Sequence, residues 1–264
     1  VSPSDYDDFA EAYSSDNDAN LMNAHYERPA MLRLAGDVAG RRILDAGCGS
    51  GPLTLELRAR GAEVAGFDAS AEMIRLARGR LGDNADLRVA DLAERLPYED
   101  DAFDDAVCSL ALHYLEEWEP PLRELRRVLR PGGRLLVSVE HPFVHKLVTP
   151  EIDYFSTAPW PLEHELRGRP IVLNVWHRPL HAMVRDFTAS GFHVAGVDEP
   201  PVAPDTPAEL LPEGLGGRTR FLGFLFFELV AVEGAGDGRG AAGGARRAPD
   251  ARGDGPSGRS PAPT

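Results

Sequence analysis

Five short apolar stretches recur between Arg41 and Glu140, most of them separated by helix-patterned segments that close on glycine. The first, RRILDAG (41–47), runs into a glycine turn. PLTLELRARG follows, where Pro52 suits a first helical position and Gly61 a stop. AEVAGFD (62–68) reads as a second strand. Ser70 then caps the helix AEMIRLARGRL, which has Glu72 in its first turn, Met73, Ile74, Ala77 and Leu81 on one side, and Gly82 as its stop. ADLRVADL (85–92) and FDDAVCSLAL (103–112) are the third and fourth strands. The helix EPPLRELRRVLRPGG opens on two prolines, carries Leu122, Leu125, Val128 and Leu129 as its buried stripe, and ends at Pro131-Gly132-Gly133. RLLVSVE (134–140) is the fifth strand. Strands alternating with amphipathic helices at this spacing constrain the chain to a parallel sheet with helices on both faces.

After Glu140 the rhythm breaks. Residues 141–178 are rich in aromatics, histidine and proline, and are too long for a plain connection, so they read as a substrate-side insertion. Phe143, Tyr154, Phe155, Trp160 and Trp176 are its candidates for lining an acceptor pocket or for packing the insertion onto the sheet. The sheet then resumes: Pro179 opens the helix LHAMVRDFTAS, Gly191 stops it, and FHVAGVD (192–198) is a sixth strand. RFLGFLFFELVAV (220–232) is the seventh, joined without a helix, which predicts an antiparallel pair at one sheet edge. From Gly234 the sequence has almost no large apolar side chains, so 234–264 is expected to be a disordered Gly/Ala/Arg/Pro tail.

The formal net charge of −14, with no basic stripe in the folded part, argues against nucleic acid as a partner. Lys146 is the only lysine. Cys48 and Cys108 have neither a metal-ligand spacing nor a disulfide framework, and no apolar run reaches membrane-spanning length. The acidic N-terminus VSPSDYDDFAEAY does not read as a signal peptide. These features predict a soluble cytoplasmic protein, monomeric or homodimeric, with no metal and no membrane partner.

Ligands of open parallel sheets bind beyond the carboxyl ends of the strands. Here those ends carry Asp45 with Gly47, Gly49 and Gly51; Asp68; Asp91; and the run Ser109 to His113. The glycines permit close backbone approach. Asp68 suits two ribose hydroxyls, Asp91 an exocyclic amine, and Met73, Leu92 and Leu110 the faces of a flat base. Structural uses compete: a turn-stabilising carboxylate at Asp45, a helix cap at Asp68. A dinucleotide fingerprint spaces its glycines differently and sets a pyrophosphate on the helix N-terminus. A carboxylate at Asp45 would repel a pyrophosphate and attract an ammonium or sulfonium, which favours a cationic ligand such as S-adenosylmethionine.

Four stretches, ILDAGCGSG (43–51), VAGFDAS (64–70), VADLAERLPYEDDAFDDAVCSLALHYLEEW (89–118) and LRPGGRLLVSVEHP (129–142), resemble the class I S-adenosylmethionine-dependent methyltransferases. They look most like the small-molecule branch that includes the quinone-biosynthesis enzymes. The resemblance implies a Rossmann-like doubly wound α/β sheet of seven strands, mostly parallel with an antiparallel last strand. It also implies a helical lid over 1–38 ahead of a methyltransferase domain at 39–233. On it, Asp45 and the loop Gly47, Cys48, Gly49 and Gly51 hold the methionine part and Asp68 the ribose hydroxyls, with Ala69 and Met73 also among the cofactor-binding residues. Asp91 and Leu92 take the adenine, Ser109 and Leu110 the floor, and Tyr13 in the lid covers the cofactor.

Methyl transfer from a sulfonium is an in-line displacement, in which the protein supplies alignment and desolvation. A hydroxyl acceptor also needs a base near neutral pH. His141, directly after the fifth strand and expected at the cofactor-facing rim, is the first candidate, and His113 after the fourth is the second. His177 and His181 bracket the turn HRPLH. The expected acceptor is a small organic molecule, an aromatic or secondary metabolite. Oxygen methylation comes first, with nitrogen or carbon methylation and a catalytically silent cofactor-binding protein as alternatives. YEDDAFDD (98–105) lacks the glycine and terminal glutamate of a calcium loop and reads as a solvated acidic loop.

Overall fold

The computed structural model describes residue 7 and residues 9–166 and 169–232. The expected tail at 234–264 lies outside the described residues. In chain order the elements begin with α1 (Ala10–Asn17), a wider-wound helical segment Leu21–Glu27 and α2 (Arg28–Ala35). Next come β1 (Arg42–Ala46), α3 (Pro52–Ala59), β2 (Glu63–Asp68), α4 (Ala71–Leu81), β3 (Asp86–Val89) and β4 (Phe103–Ser109). They continue with α5 (Glu119–Val128), β5 (Leu129–Glu140), α6 (Pro142–Val148), β6 (Ala158–Leu166) and β7 (Arg169–His177). α7 (Leu180–Ala189), β8 (Phe192–Asp198) and β9 (Phe224–Ala231) complete the set.

Seven strands form one sheet in the order β3-β2-β1-β4-β5-β9-β8. Neighbours from β3 to β5 pair in parallel, and β9 runs antiparallel to both β5 and β8. The last strand is antiparallel as the sequence predicts, but it is inserted inside the sheet and leaves β8 at the edge. The elements come from local signals. Ser70 accepts a hydrogen bond from Met73 N at 3.0 Å and starts α4, and Gly82 closes it. Pro179 and Gly191 bracket α7 as expected.

Successive strand residues fall alternately on two cores. Leu44, Cys108, Leu135, Val137 and Phe227 pack with Leu122 and Leu125 of α5 and Phe187 of α7. Ile43, Val107, Leu136 and Phe226 pack with Met31 of α2 and Leu53 and Leu57 of α3. The period of two along each strand thus sends helices to both faces.

Two expectations need correction. Helix α5 stops at Val128, before its expected prolyl-glycine stop, because Leu129 already pairs with Phe103. The next pairs in register begin at Asp105 and Arg134, so residues 130–133 bulge between them. The acidic run at 98–105 is also not simply solvated. Asp105 is 1% exposed and accepts hydrogen bonds from Arg41 Nη2 at 2.7 Å and Arg134 Nη2 at 2.9 Å. Nearby, Asp100 accepts from Arg127 Nη1 at 2.7 Å.

The insertion after β5 is α6 followed by a separate two-stranded antiparallel sheet, β6 with β7. Prolines at 159, 161 and 170 lie within these strands, which are tolerated because the pair has two free edges. Arg178 and Asp186, both 5% exposed, form an ion pair of 2.5 Å between the end of the hairpin and α7. The Arg178 guanidinium lies 4.6 Å from the Trp118 ring centroid, and its Nη2 donates to Glu116 O. Among the described residues no helix is long and apolar enough to cross a membrane.

Candidate active site

A cavity of about 200 Å³ opens at the carboxyl ends of β1, β2, β3 and β4. Its floor is the turn from β1 into α3. Gly47 N and Cys48 N both donate to Phe67 O at 2.9 Å, and Gly49 N donates to Asp68 Oδ2 at 2.9 Å. These bonds lock the turn onto the end of β2. A side chain at position 47 would set its Cβ 2.7 Å from Ala111 Cβ, and φ there is +78°, so only glycine lets the turn approach the chain after β4.

Asp45 is 1% exposed at the end of β1. Its Oδ2 accepts from Thr54 Oγ1 at 2.6 Å, while its Oδ1 is buried without a partner. Burial, reinforced by the neighbouring Glu27 and Asp68 carboxylates, pushes its pKa up to about 7. Asp68 accepts from Ser70 N at 2.9 Å on its other oxygen, and burial raises its pKa against these two backbone bonds. Each of its oxygens keeps a lone pair for a further donor. Asp91 is exposed at the rim and holds Ala93 N at 2.9 Å. Met73, Leu92 and Leu110 supply apolar wall. Leu110 adopts φ +50°, a left-handed conformation costly for a branched side chain. Its N–H is fixed there by Ser138 O and Ser138 Oγ, each at 3.1 Å.

α1 covers the turn. Ser14 Oγ donates to Ser50 Oγ at 2.8 Å, and Arg80 and Arg75 of α4 pair with Asp18 and Glu11 at 2.8 and 3.0 Å. Tyr13 lines the cavity from this helix. Asp45, Gly47, Cys48, Gly49, Asp68, Ala69, Met73, Asp91, Leu92, Ser109 and Leu110 line it as well. Gly51 does not. It starts α3 with φ +81°, and a Cβ there would meet Leu81 Cδ1 at 2.9 Å, so its role is to let α3 pack on α4.

The two candidate bases are not brought to this cavity. His113 is buried without a partner on Nδ1, and desolvation pushes its pKa down to about 3. His141 is 2% exposed; its Nδ1 accepts from Phe143 N at 3.2 Å as the cap of α6, and its Nε2 lies 2.7 Å from Glu199 Oε1. Instead of the expected cofactor-facing rim, His141 and His113 line a small cavity of about 10 Å³, together with Glu140, His177 and Arg178. None of the five insertion aromatics reaches the large cavity. Phe143 stacks on Tyr154 at 5.2 Å and Trp160 on His145 at 4.3 Å, so these rings pack the insertion together.

Sequence reasoning missed Glu27, Arg28, Asn17, Asn23 and Tyr114 in the cavity wall. A usable signal was present: Glu27 and Arg28 interrupt the buried stripe of Tyr26, Ala30 and Met31 just ahead of Pro29. Charges set within a buried stripe need a partner.

A methyltransferase-domain family profile matches residues 44–137, the stretch that supplies the turn and the ends of β2 to β4. Over 160 residues the chain is 37% identical to a demethylmenaquinone methyltransferase of Clavibacter sepedonicus. The chain carries a class I S-adenosylmethionine-dependent methyltransferase domain. That alignment covers 60% of this chain and 59% of the relative. The domain is also 32% identical, over 60% of this chain and 66% of the relative, to a ubiquinone/menaquinone biosynthesis C-methyltransferase of Hahella chejuensis. The chain therefore spans about three fifths to two thirds of these relatives. An S-adenosylmethionine-dependent methyltransferase from Mesorhizobium loti superposes on the methyltransferase domain with a TM-score of 0.58. The identity is 26%, covering 76% of this chain and 96% of that one.

Proposed function

We propose that this chain transfers a methyl group from S-adenosylmethionine to a small organic acceptor, with carbon as the receiving atom. The observation that carries the cofactor reading is Asp45, whose unpartnered oxygen is buried in a cavity rimmed by Asp68 and Asp91. A phosphate there would add negative charge to a desolvated carboxylate, whereas a cation relieves it. When bound, S-adenosylmethionine supplies a methyl group already activated on a sulfonium.

The chain's own residues bind, orient and exclude water. Asp68 and Asp91 face the nucleoside, Met73, Leu92 and Leu110 flank the base, and Asp45 lies toward the cationic amino-acid end. Arg28, a guanidinium in the wall, suits the α-carboxylate; its Nη2 is pre-set by Asn17 O and Oδ1 at 3.0 and 2.8 Å. α1 closes over the turn with Tyr13. This is a lid role for the N-terminal segment, ahead of a domain that runs to 233. Desolvation and alignment then supply most of the rate. Neither His113 nor His141 borders this cavity. Methylation at oxygen or at carbon alike releases a proton from the acceptor, and the C-methyltransferase name of one relative supports carbon. We place the reaction in the cytoplasm, in a monomer or homodimer.

Calorimetric titration with S-adenosylhomocysteine and with NAD tests the cofactor: heat is expected with the first alone, and silence with it sinks the reading. Incubation with methyl-¹³C cofactor and host extract, followed by NMR of the labelled product, tests the acceptor. A carbon-bound methyl is expected; an oxygen-bound one restores O-methylation.

A further inference from the structure

Beside Asp45, the cavity wall holds a second buried carboxylate, Glu27, 3% exposed at the last turn before α2. Tyr26 fixes it in place. That ring is 1% exposed, stacks on Phe224 at 5.6 Å and tilts against Phe221 at 5.1 Å. A Cβ on Gly223 would collide with the same ring at 2.8 Å, so the segment has one seat on the sheet. From that seat Glu27 Oε1 accepts two short hydrogen bonds, from Ser109 Oγ and Ser138 Oγ, each 2.6 Å. Ser109 ends β4 and Ser138 lies on β5. Two hydroxyl donors aimed at one oxygen stabilise the ionised carboxylate, opposing the burial that raises its pKa.

The charges of the wall then form a pattern. Asp68 and Asp91 stand at β2 and β3, on the nucleoside side. Asp45, Glu27 and Arg28 remain: two carboxylates and one guanidinium. The amino-acid end of S-adenosylmethionine carries an ammonium, a sulfonium and a carboxylate, the complementary set. Of the two carboxylates, Asp45 on β1 is bonded to Thr54 of α3, whereas Glu27 is bonded across β4 and β5. The insertion begins directly after β5, on that second side.

We propose that Glu27, held by Ser109 and Ser138, is the counter-charge for the sulfonium, so that the protein binds the charged cofactor more tightly than its neutral spent product. The idea rests on the cofactor reading given above. Loss of the methyl turns the sulfonium into an uncharged thioether, which leaves Glu27 buried without its partner and favours release of the product. An ordinary carboxylate contact to the ammonium would not distinguish the two ligands, since both carry that group.

The test is the ratio of affinities for S-adenosylmethionine and S-adenosylhomocysteine, measured by calorimetry on the full chain at one pH. Sinefungin, which has an amine cation in place of the sulfonium, serves as a third ligand. Glu27→Gln is expected to weaken S-adenosylmethionine and sinefungin by about tenfold, the scale of one charged hydrogen bond, and S-adenosylhomocysteine by less than threefold. Ser138→Ala, a smaller change that removes one hydroxyl donor, is expected to narrow the same ratio in the same direction, and it serves if the first variant fails to fold. Asp68→Asn should weaken all three ligands alike. Equal weakening of cationic and neutral ligands by Glu27→Gln, or an unchanged ratio in both variants, overturns the proposal. Failure of the unaltered chain to bind any of the three overturns the cofactor reading instead.

Discussion

The cavity at the ends of β1 to β4 and the small pocket beneath the hairpin obey the same electrostatics with opposite results. In each, burial lifts a carboxyl to about 7: Asp45 in the first, Glu140 in the second. The second also holds His113, pushed down to about 3. What differs is room. The first encloses about 200 Å³ and opens to an incoming ligand, while the second has about 10 Å³, space for a single water. A carboxylate in the large cavity waits for a cation; Glu140 and His113 in the small one have no room for a ligand and bear on stability. A perturbed pKa marks a binding site only where volume accompanies it.

Four experiments probe that division, beginning with the largest effect. Asp186→Ala strands the Arg178 guanidinium beneath the hairpin and should cost about 3–5 kcal/mol in urea unfolding. The protein that remains folded should bind S-adenosylhomocysteine within twofold of the unaltered chain. A parallel collapse of affinity would join the two regions into one. Asp45→Asn should do the reverse, weakening S-adenosylmethionine at least tenfold in calorimetry without lowering stability. The sign of its pH dependence follows from linkage. The folded pKa of Asp45 lies above its ordinary value of 3.8, so its favourable contribution is complete below that value and is lost as pH rises through about 7.

The same sign holds for Glu140, raised from 4.5 to about 7 by burial alone. Glu140→Gln should therefore raise the melting temperature at pH 8 by several degrees, a gain of about 2 kcal/mol, and leave it unchanged at pH 4. Adding S-adenosylmethionine at pH 8 should offset the Asp45 penalty and none of the Glu140 penalty, which differential melting of the two variants reads directly. The smallest change is His141→Ala, which removes the cap of α6 and costs about 1 kcal/mol with cofactor affinity intact. If that variant binds S-adenosylmethionine normally yet transfers no labelled methyl group, the histidine pocket belongs to the chemistry after all.

Local signals made most of the sheet readable. Ser70, Pro52, Gly82 and Gly191 act on their own neighbours, and acids at 45, 68 and 91 announce strand ends because polarity breaks the apolar pattern there. The hairpin β6–β7 was opaque, since its prolines argue against strands and only a two-edged pair tolerates them. What Glu27 pairs with was opaque for another reason: its partners lie 82 and 111 residues away, a distance no window can span. His141 looked catalytic because it follows β5, yet that position also caps a helix. Asp105 looked like one charge in a solvated run, and only the sheet brings Arg41 and Arg134 to it.

The placement of β9 between β5 and β8 has a consequence for how the chain comes to its native state. β8 is made before β9 but has no sheet neighbour other than β9. During synthesis the N-terminal strands can assemble as they emerge, whereas α7 and β8 must wait for residues 224–231 before their sheet seat exists. Until then the outer edge of β5 is unpaired and open to a neighbouring chain. The final strand is thus the step that commits the molecule, and its delay is the interval in which aggregation competes.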